Sequence, residues 1–329
     1  MTHAEKTALS YYQQMDKACP TVAQYSRNLN LLYLQGLLDG CYYREDIITQ
    51  IQKILMRKAK ANVLLTGVAG CGKTALVEGT AAQITQRKIN YEQVCDRERK
   101  KYRAMLRADG AYADVDSEED DFVALPKPPL CDCVIYDLSL TALVGGTKYR
   151  GEFEERLQNV IDECRGHPSI VLFVDEAHLL TSVGKSEASD SSAQMLKPAL
   201  ARNDIRMIGA TTNEEKVHIC KDKALWRRFC EIVVTPLSGE AAQKTAVHIL
   251  NDYCRFHGII TDASAEELWK LVQQQLPHSV FPDNLINVID ETLASAVFDG
   301  RYAVGMVQFQ QVLFPSASIA SIISWTTSL

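Results

Sequence analysis

A chain of 329 residues, 47% hydrophobic and 23% charged, holds ample material for a core and has the balance of an ordinary soluble globular protein of one or two domains. Its net charge of −6 argues against nonspecific nucleic-acid binding. No N-terminal stretch has the order of a signal peptide, and the apolar stretch 312–329 carries Pro315 and many serines, which makes it a poor membrane span. Ten scattered cysteines without paired C-x-x-C spacing read as free thiols of a cytoplasmic protein, not as zinc ligands or a disulfide framework.

In chain order, residues 1–39 carry leucines at 29, 31, 32, 34, 37 and 38 and predict an N-terminal helical extension. Ile47, Ile48, Ile51, Ile54 and Leu55 recur at helical spacing. Asn62 to Thr66 reads as a strand and 74–86 as a helix. The stretch 92–130 is a charged insertion: basic over Arg97 to Arg107, acidic from Asp114 to Asp121, then Pro126, Pro128 and Pro129. Such a block buries little apolar surface and predicts a solvated, mobile loop, with a partner-docking segment as the alternative. Strands follow at Cys133–Leu138, Ile170–Val174, Ile205–Ala210 and Ile232–Val234, and helices at 153–164 and 193–201. The alternation predicts an α/β domain over 40–236 with a parallel sheet, and the run Gly67-Val-Ala-Gly-Cys-Gly-Lys73-Thr74 after its first strand makes that domain one of the phosphate-loop NTPase type. From Leu237 only helices are expected, giving a small all-helical domain over 237–300 and a tail over 301–329. Ser264 and Glu267 have the spacing of a capping box, and Asp283 is placed to cap the last helix.

Two stretches carry the chemistry. Gly67, Val68, Ala69, Gly70, Cys71, Gly72, Lys73, Thr74 and Ala75 follow an apolar strand and open a helix. Glycines there turn backbone N–H groups onto phosphate oxygens, Lys73 places a charge on the β- and γ-phosphates, and the Thr74 hydroxyl is a Mg²⁺ ligand. Asp175 and Glu176 end the apolar run Val171 to Val174. Asp175 is the expected second magnesium residue, and Glu176 the residue that polarises the attacking water. Asp175-Glu176-Ala177-His178 also spells the box of one helicase superfamily, but only about ninety residues follow the last strand, too few for a second motor domain. His178 therefore reads as a packing residue.

Further motifs converge on one family. Tyr43 to Ile47, Gly146 to Leu157, Met195 to Arg202, Ile208 to Thr212, Ala224 to Phe229 and Phe281 to Glu291 together resemble the first ATPase ring of the Clp-type AAA+ unfoldases, over roughly residues 40 to 297. The resemblance implies an AAA+ large domain followed by a helical lid, with ATP and Mg²⁺ as cofactors. It implies that Thr212 is a sensor of the γ-phosphate or attacking water, and that Arg227 and Arg228 reach the nucleotide of a neighbouring subunit. It implies that Tyr149, flanked by Lys148 and Arg150, grips polypeptide in a central pore, and that Tyr42, Tyr43 and Pro282 lie around the adenine. The stretch 183–192 falls where a second pore loop would lie.

The expected function is an ATP-hydrolysing ring, hexameric in such families, that threads or remodels a protein substrate. An ATP-controlled oligomeric module that recruits a partner without threading is the alternative. A nucleic-acid-associated ATPase is disfavoured by the acidic balance. The Clp N-terminal domain, second ring and long coiled coil have no counterpart among these 329 residues.

Overall fold

The computed structural model describes residues 1–38, 40–108, 125–145, 150–182, 189–202 and 204–314. Six strands form one sheet: β1 (Ser26–Asn28), β2 (Asn62–Thr66), β3 (Val134–Leu138), β4 (Ile170–Val174), β5 (Arg206–Thr211) and β6 (Phe229–Val233). Their spatial order is β1-β3-β4-β5-β2-β6. β3 pairs parallel with β4, and β4 with β5. Every residue of β2 and β4 is buried, as strands covered on both faces must be, which is why these two read as unbroken apolar runs.

The chain separates into two compact units. One comprises Met1–Asp39, Asp46–Leu65 and Leu76–Ile232; the other comprises Gly40–Glu45, Thr66–Ala75 and Val233–Leu329. In the first, α1 (His3–Ala18) buries Ala4, Ala8, Tyr12 and Met15, a one-sided helical spacing, against the sheet core. α2 (Pro20–Tyr25), α3 (Leu29–Leu34) and α4 (Glu45–Leu55) follow. The extension expected to be helical thus contains a strand. β1 lies antiparallel to β3, pairing Arg27 with Asp137, and the two side chains form an ion pair at 2.5 Å. Pairing satisfies the outer backbone edge of β3, a gain that outweighs local preference in a three-residue segment. Asn30, fully buried, holds this segment in place: its Oδ1 accepts from Ile135 N at 2.8 Å, and its Nδ2 donates to Thr85 Oγ1 at 2.9 Å.

α5 (Lys73–Ala108) runs 36 residues, far past the expected end at residue 86. The basic stretch 97–107, read above as loop, is helical. No glycine or proline interrupts 80–108, and Arg99–Asp96 and Lys101–Glu98 pair one turn apart at 3.7 and 2.7 Å. The acidic block 114–121 lies outside the described residues. α6 (Leu140–Val144), α7 (Arg150–Gly166), α8 (Leu179–Ser182), α9 (Ser189–Arg202), α10 (Lys216–Lys221) and α11 (Lys223–Trp226) complete this unit. Asn62, fully buried at the start of β2, accepts from Met207 N at 2.9 Å and donates to Arg228 O at 3.3 Å. One side chain thereby fixes β5 and the entry to β6 on either side of the strand that leads to the glycine-rich loop.

The second unit packs α12 (Gly239–His257), α13 (Ala265–Gln275), α14 (Asp283–Phe298) and α15 (Met306–Leu313) around Leu250, Leu268, Ile289, Leu293 and Phe309. It is not purely helical: β7 (Ile260–Thr261) and β8 (Ala303–Val304) pair parallel. The left-handed Gly258 ends α12 and releases the chain into β7. The first part of the expected tail therefore belongs to this core. Ser264 Oγ accepts from Glu267 N at 3.3 Å, as its spacing predicted. Asp283 is the first helical residue of α14, one place past the expected cap, where its charge still faces the positive helix end.

Candidate active site

β2 ends at Thr66, the chain turns through Gly67 to Gly72, and α5 opens at Lys73. Gly70 and Gly72 have φ of 75° and 91°, a region that side chains with a Cβ enter only at a cost. A Cβ on Gly67 would stand 2.4 Å from Val234 O, and one on Gly70 2.7 Å from the Asp283 Cβ. At Gly72 nothing lies within 4 Å. The loop is thus closely packed at its first two glycines and open at its third, with Val68 and Ala69 exposed. Lys73 Nζ donates to Gly67 O at 3.1 Å and Val68 O at 2.9 Å. The ammonium therefore lies across the mouth of its own loop. Left-handed glycines, an open face and a helix start with a lysine and no acid in its first turn suit a polyphosphate.

Sequence reasoning gave Arg44 no role of its own. It is buried, and its Nη2 donates to Thr235 O at 2.7 Å and Cys71 O at 3.4 Å, clamping the loop to the segment after β6. Burial raises the pKa of the Cys71 thiol, against the opposing pull of Lys73 and Arg44; the thiol is a packed neutral group. Tyr42 stacks on His248 at 4.3 Å between ring centroids and donates to Asp252. The Tyr43 hydroxyl lies 3.4 Å from His248 Nε2. Pro282 precedes α14 beside Asp283, the residue packed on Gly70. The ring of Tyr42 is thus engaged by α12, a partner that the sequence did not indicate.

In the first unit, β4 delivers Asp175 and Glu176, both exposed at its carboxyl end. Glu176 has φ of 51°, a left-handed conformation rare for a residue with a long side chain. Its N–H is taken by Asp175 Oδ1 at 2.9 Å and its carbonyl by Leu179 N at 2.8 Å, while Ala177 N donates to Ala210 O at 2.8 Å. Gly209 makes room for this turn, since a Cβ there would meet the Ala177 Cβ at 2.9 Å. The two carboxylates face an open cleft of about 610 Å³ that also takes in Tyr25, Arg27, Asp137 and Ser139. Sequence reasoning had not brought residues before 40 to the site.

Thr212 follows β5 directly. Its hydroxyl donates to Glu215 Oε2 at 2.8 Å, and its N–H reaches the same oxygen at 3.2 Å. His178 Nδ1 lies 3.2 Å from that oxygen. His178 is therefore a member of a polar cluster beside Thr212, where packing alone was expected. Burial raises the pKa of Glu215, but hydrogen bonds from Thr212 and the charge of His178 outweigh it and hold the carboxyl below its ordinary value.

Arg227 caps the C-terminus of α11, and Arg228 follows it before β6. Arg227 is exposed and Arg228 half-buried. Among the described residues neither guanidinium has an acidic partner. Lys148 and Tyr149 lie outside the described residues, as does 183–188, and of Arg150 the backbone alone is described, opening α7. Arg156 closes the near edge of that segment, its Nη1 donating to Leu143 O at 3.0 Å and Gly145 O at 2.8 Å. Among the described residues no group of three or more potential ligands forms a preassembled metal site, and no helix is long and apolar enough to cross a membrane.

Comparison with known proteins agrees with this geometry. The AAA ATPase domain family matches residues 40–208. The chaperone protein ClpB of Aquifex aeolicus is 34% identical over 273 residues, 81% of this chain and 23% of that protein. A ClpA homolog of Porphyra purpurea, an ATP-binding subunit of an ATP-dependent Clp protease, is 34% identical over 83% of this chain and 29% of its own length. The chain thus spans about a quarter of the length of these curated relatives. Among solved structures, the closed state of Hsp104 with ATPγS and FITC casein aligns with a TM-score of 0.70 at 29% identity, covering 90% of this chain and 45% of that one. The S. cerevisiae Hsp104–ADP complex gives 0.68 at 29% identity over 89% and 45%. The chain belongs to the AAA ATPase family, and the relatives it resembles are of the Clp type.

Proposed function

We propose that this chain hydrolyses ATP as one subunit of a ring, and that the ring threads or remodels a protein substrate. The observation that carries the reading is the order in which one sheet presents its parts: glycine loop and Lys73 after β2, Asp175 and Glu176 after β4, Thr212 after β5, and Arg227 with Arg228 before β6. Lys73 and the N-terminal N–H groups of α5 bind the β- and γ-phosphates, and Tyr42, Tyr43 and Pro282 flank the base. The Thr74 hydroxyl and Asp175 are the residues that would hold Mg²⁺, which would supply neutralising charge at the phosphates. Glu176 accepts a proton from the attacking water, and Thr212 orients that water. Arg227 and Arg228, without carboxylates of their own among the described residues, serve the nucleotide of the adjacent subunit, so turnover depends on assembly. Tyr149, with Lys148 and Arg150, grips the polypeptide; a tyrosine ring contacts many sequences with little preference. We place this machine in the cytoplasm, where ten thiols persist unbridged. A homohexamer is the expected assembly, with polypeptide as its partner and neither membrane nor nucleic acid required.

Particle imaging with a slowly hydrolysed ATP analogue and an unfolded protein tests this reading. A ring with density through its pore is the expected result. Tyr149→Ala should keep ATP hydrolysis and lose remodelling. Remodelling that survives this substitution would replace threading by simple ATP-controlled recruitment.

A further inference from the structure

We infer that Glu215 is a positioning residue for ATP hydrolysis: held by His178, it takes the one hydroxyl proton of Thr212 and leaves that hydroxyl an acceptor for the attacking water. The inference rests on the ATPase reading of the site and assigns it a component that the motifs do not contain.

Thr212 and Glu215 have capping-box spacing, and two of their contacts need no other explanation. Glu215 N donates to Thr212 Oγ1 at 3.2 Å, and Thr212 N donates to Glu215 Oε2 at 3.2 Å. A cap does not account for the other approaches to the same oxygen. Thr212 Oγ1 comes to 2.8 Å, His178 Nδ1 to 3.2 Å and Thr211 Oγ1 to 3.5 Å. His178 arrives from the turn after β4, not from the turn that Thr212 and Glu215 close before α10. An ionised carboxylate only accepts, so His178 carries its hydrogen on Nδ1, and the Thr212 hydroxyl spends its hydrogen on Glu215. With Glu215 N on one lone pair, what Thr212 Oγ1 keeps is the other. That suits the O–H of a water, and it excludes donation from this hydroxyl to a phosphate oxygen while Glu215 is in place.

The same cluster ties Thr212 to Glu176. His178 lies two residues beyond Glu176, in a turn fixed to β5 by the 2.8 Å bond from Ala177 N to Ala210 O. His178 Nδ1 also stands 3.3 Å from Thr211 Oγ1. Base and water-orienting hydroxyl therefore belong to one hydrogen-bonded frame, and Glu215 is the point where its branches meet. Displacing a reacting group by about an ångström costs on the order of 100-fold in rate, so loss of this frame should appear in kcat and hardly in KM, because the water is oriented only on the way to the transition state.

Steady-state ATP hydrolysis by the assembled full chain tests this, with assembly checked by sedimentation. Glu215→Ala should lower kcat about 10- to 100-fold with KM for ATP within about threefold. Combined with Thr212→Val, it should add nothing to the loss caused by Thr212→Val alone, since both remove one interaction. Glu215→Gln preserves an acceptor and the cap, and His178→Gln preserves a donor; each should retain more activity than its alanine counterpart. Should Glu215→Ala fail to fold, this pair carries the test through the ordering parent, glutamine variant, His178→Ala. A Glu215→Ala kcat within about twofold of the parent, a glutamine variant no more active than its alanine counterpart, or losses that multiply in the double variant overturn the inference while the ATPase reading stands. A parent chain that hydrolyses no ATP overturns the ATPase reading first and this inference with it.

Discussion

The glycine-rich loop after β2 and the acidic turn after β4 both bend the chain through left-handed backbone, and they reach it by opposite means. The loop uses Gly70 and Gly72, with φ of 75° and 91°, where the missing Cβ makes the conformation inexpensive. The turn uses Glu176 at φ of 51°, where the residue resists and its surroundings impose the shape. Asp175 Oδ1, Leu179 N and the Ala177–Ala210 bond supply that constraint. One geometry is written into the residue that adopts it and the other into its neighbours. A strained residue persists only where the structure over-determines it, and such residues concentrate where chemistry is done.

Removing the chemistry while leaving the geometry in place should change the molecule most. Glu176→Gln should lower ATP turnover by about 100-fold or more while ATP binding, followed by fluorescence of a nucleotide analogue, is kept. Turnover near the parent rate would remove Glu176 from the base role. Next is the support of the loop. Arg44→Ala deletes the donor to Thr235 O and Cys71 O and should cost about 2–3 kcal/mol in urea unfolding, with weaker nucleotide binding. A loss below about 0.5 kcal/mol would show that the loop holds its shape without this clamp.

A matched pair of substitutions then sharpens the contrast. Nothing surrounds Gly72 within 4 Å, so Gly72→Ala meets no clash and should cost only the backbone conformation, about 1–2 kcal/mol. Glu176→Gly should do the reverse. It relieves a similar strain, loses about 0.5–1 kcal/mol to unfolded-state freedom, and leaves a net gain of about 0.5–1 kcal/mol in a chain that no longer turns over ATP. Thermal unfolding of both variants measures the difference. Equal signs would mean that Glu176 is not strained by its neighbours.

This contrast also explains how much could be read in advance. The buried runs of β2 and β4, the glycine loop and the acidic pair follow from composition that is local and unambiguous. β1 is not legible in the sequence because Ser26, Arg27 and Asn28 carry no apolar alternation; the partner edge of β3 makes them a strand. The helical continuation of α5 is hidden by its charge, which suits a solvated helix as well as a loop; the lack of any breaker over 80–108 is its one local sign. Arg44 and His178 show no local sign of their contacts, because their partners are remote in the chain: Thr235 O for one, Glu215 for the other. Glu215 alone left a legible trace, its capping-box spacing from Thr212.

The smallest effect concerns that carboxylate and proton concentration. Its pKa in the folded chain is lowered from 4.5, because hydrogen bonds from Thr212 and the charge of His178 outweigh desolvation. A depressed folded value means that the unfolded chain binds the proton more readily. The stabilisation from Glu215 is therefore fully present above its unfolded pKa near 4.5, and it is lost as pH falls through the folded value. Asp222, lowered against burial by Lys197 and by the N–H groups of Leu225 and Ala224, and Asp132, lowered against burial by Lys127 and Lys88, act with the same sign, so the parent chain loses stability in acid for several reasons at once. Glu215→Gln isolates one of them. The gap in melting temperature between parent and variant should be constant above about pH 5.5 and close as the pH drops below about 4.5. A gap that widened on acidification would mean that the carboxyl is bound in its neutral form, and the acceptor role of Glu215 toward Thr212 would fail with it.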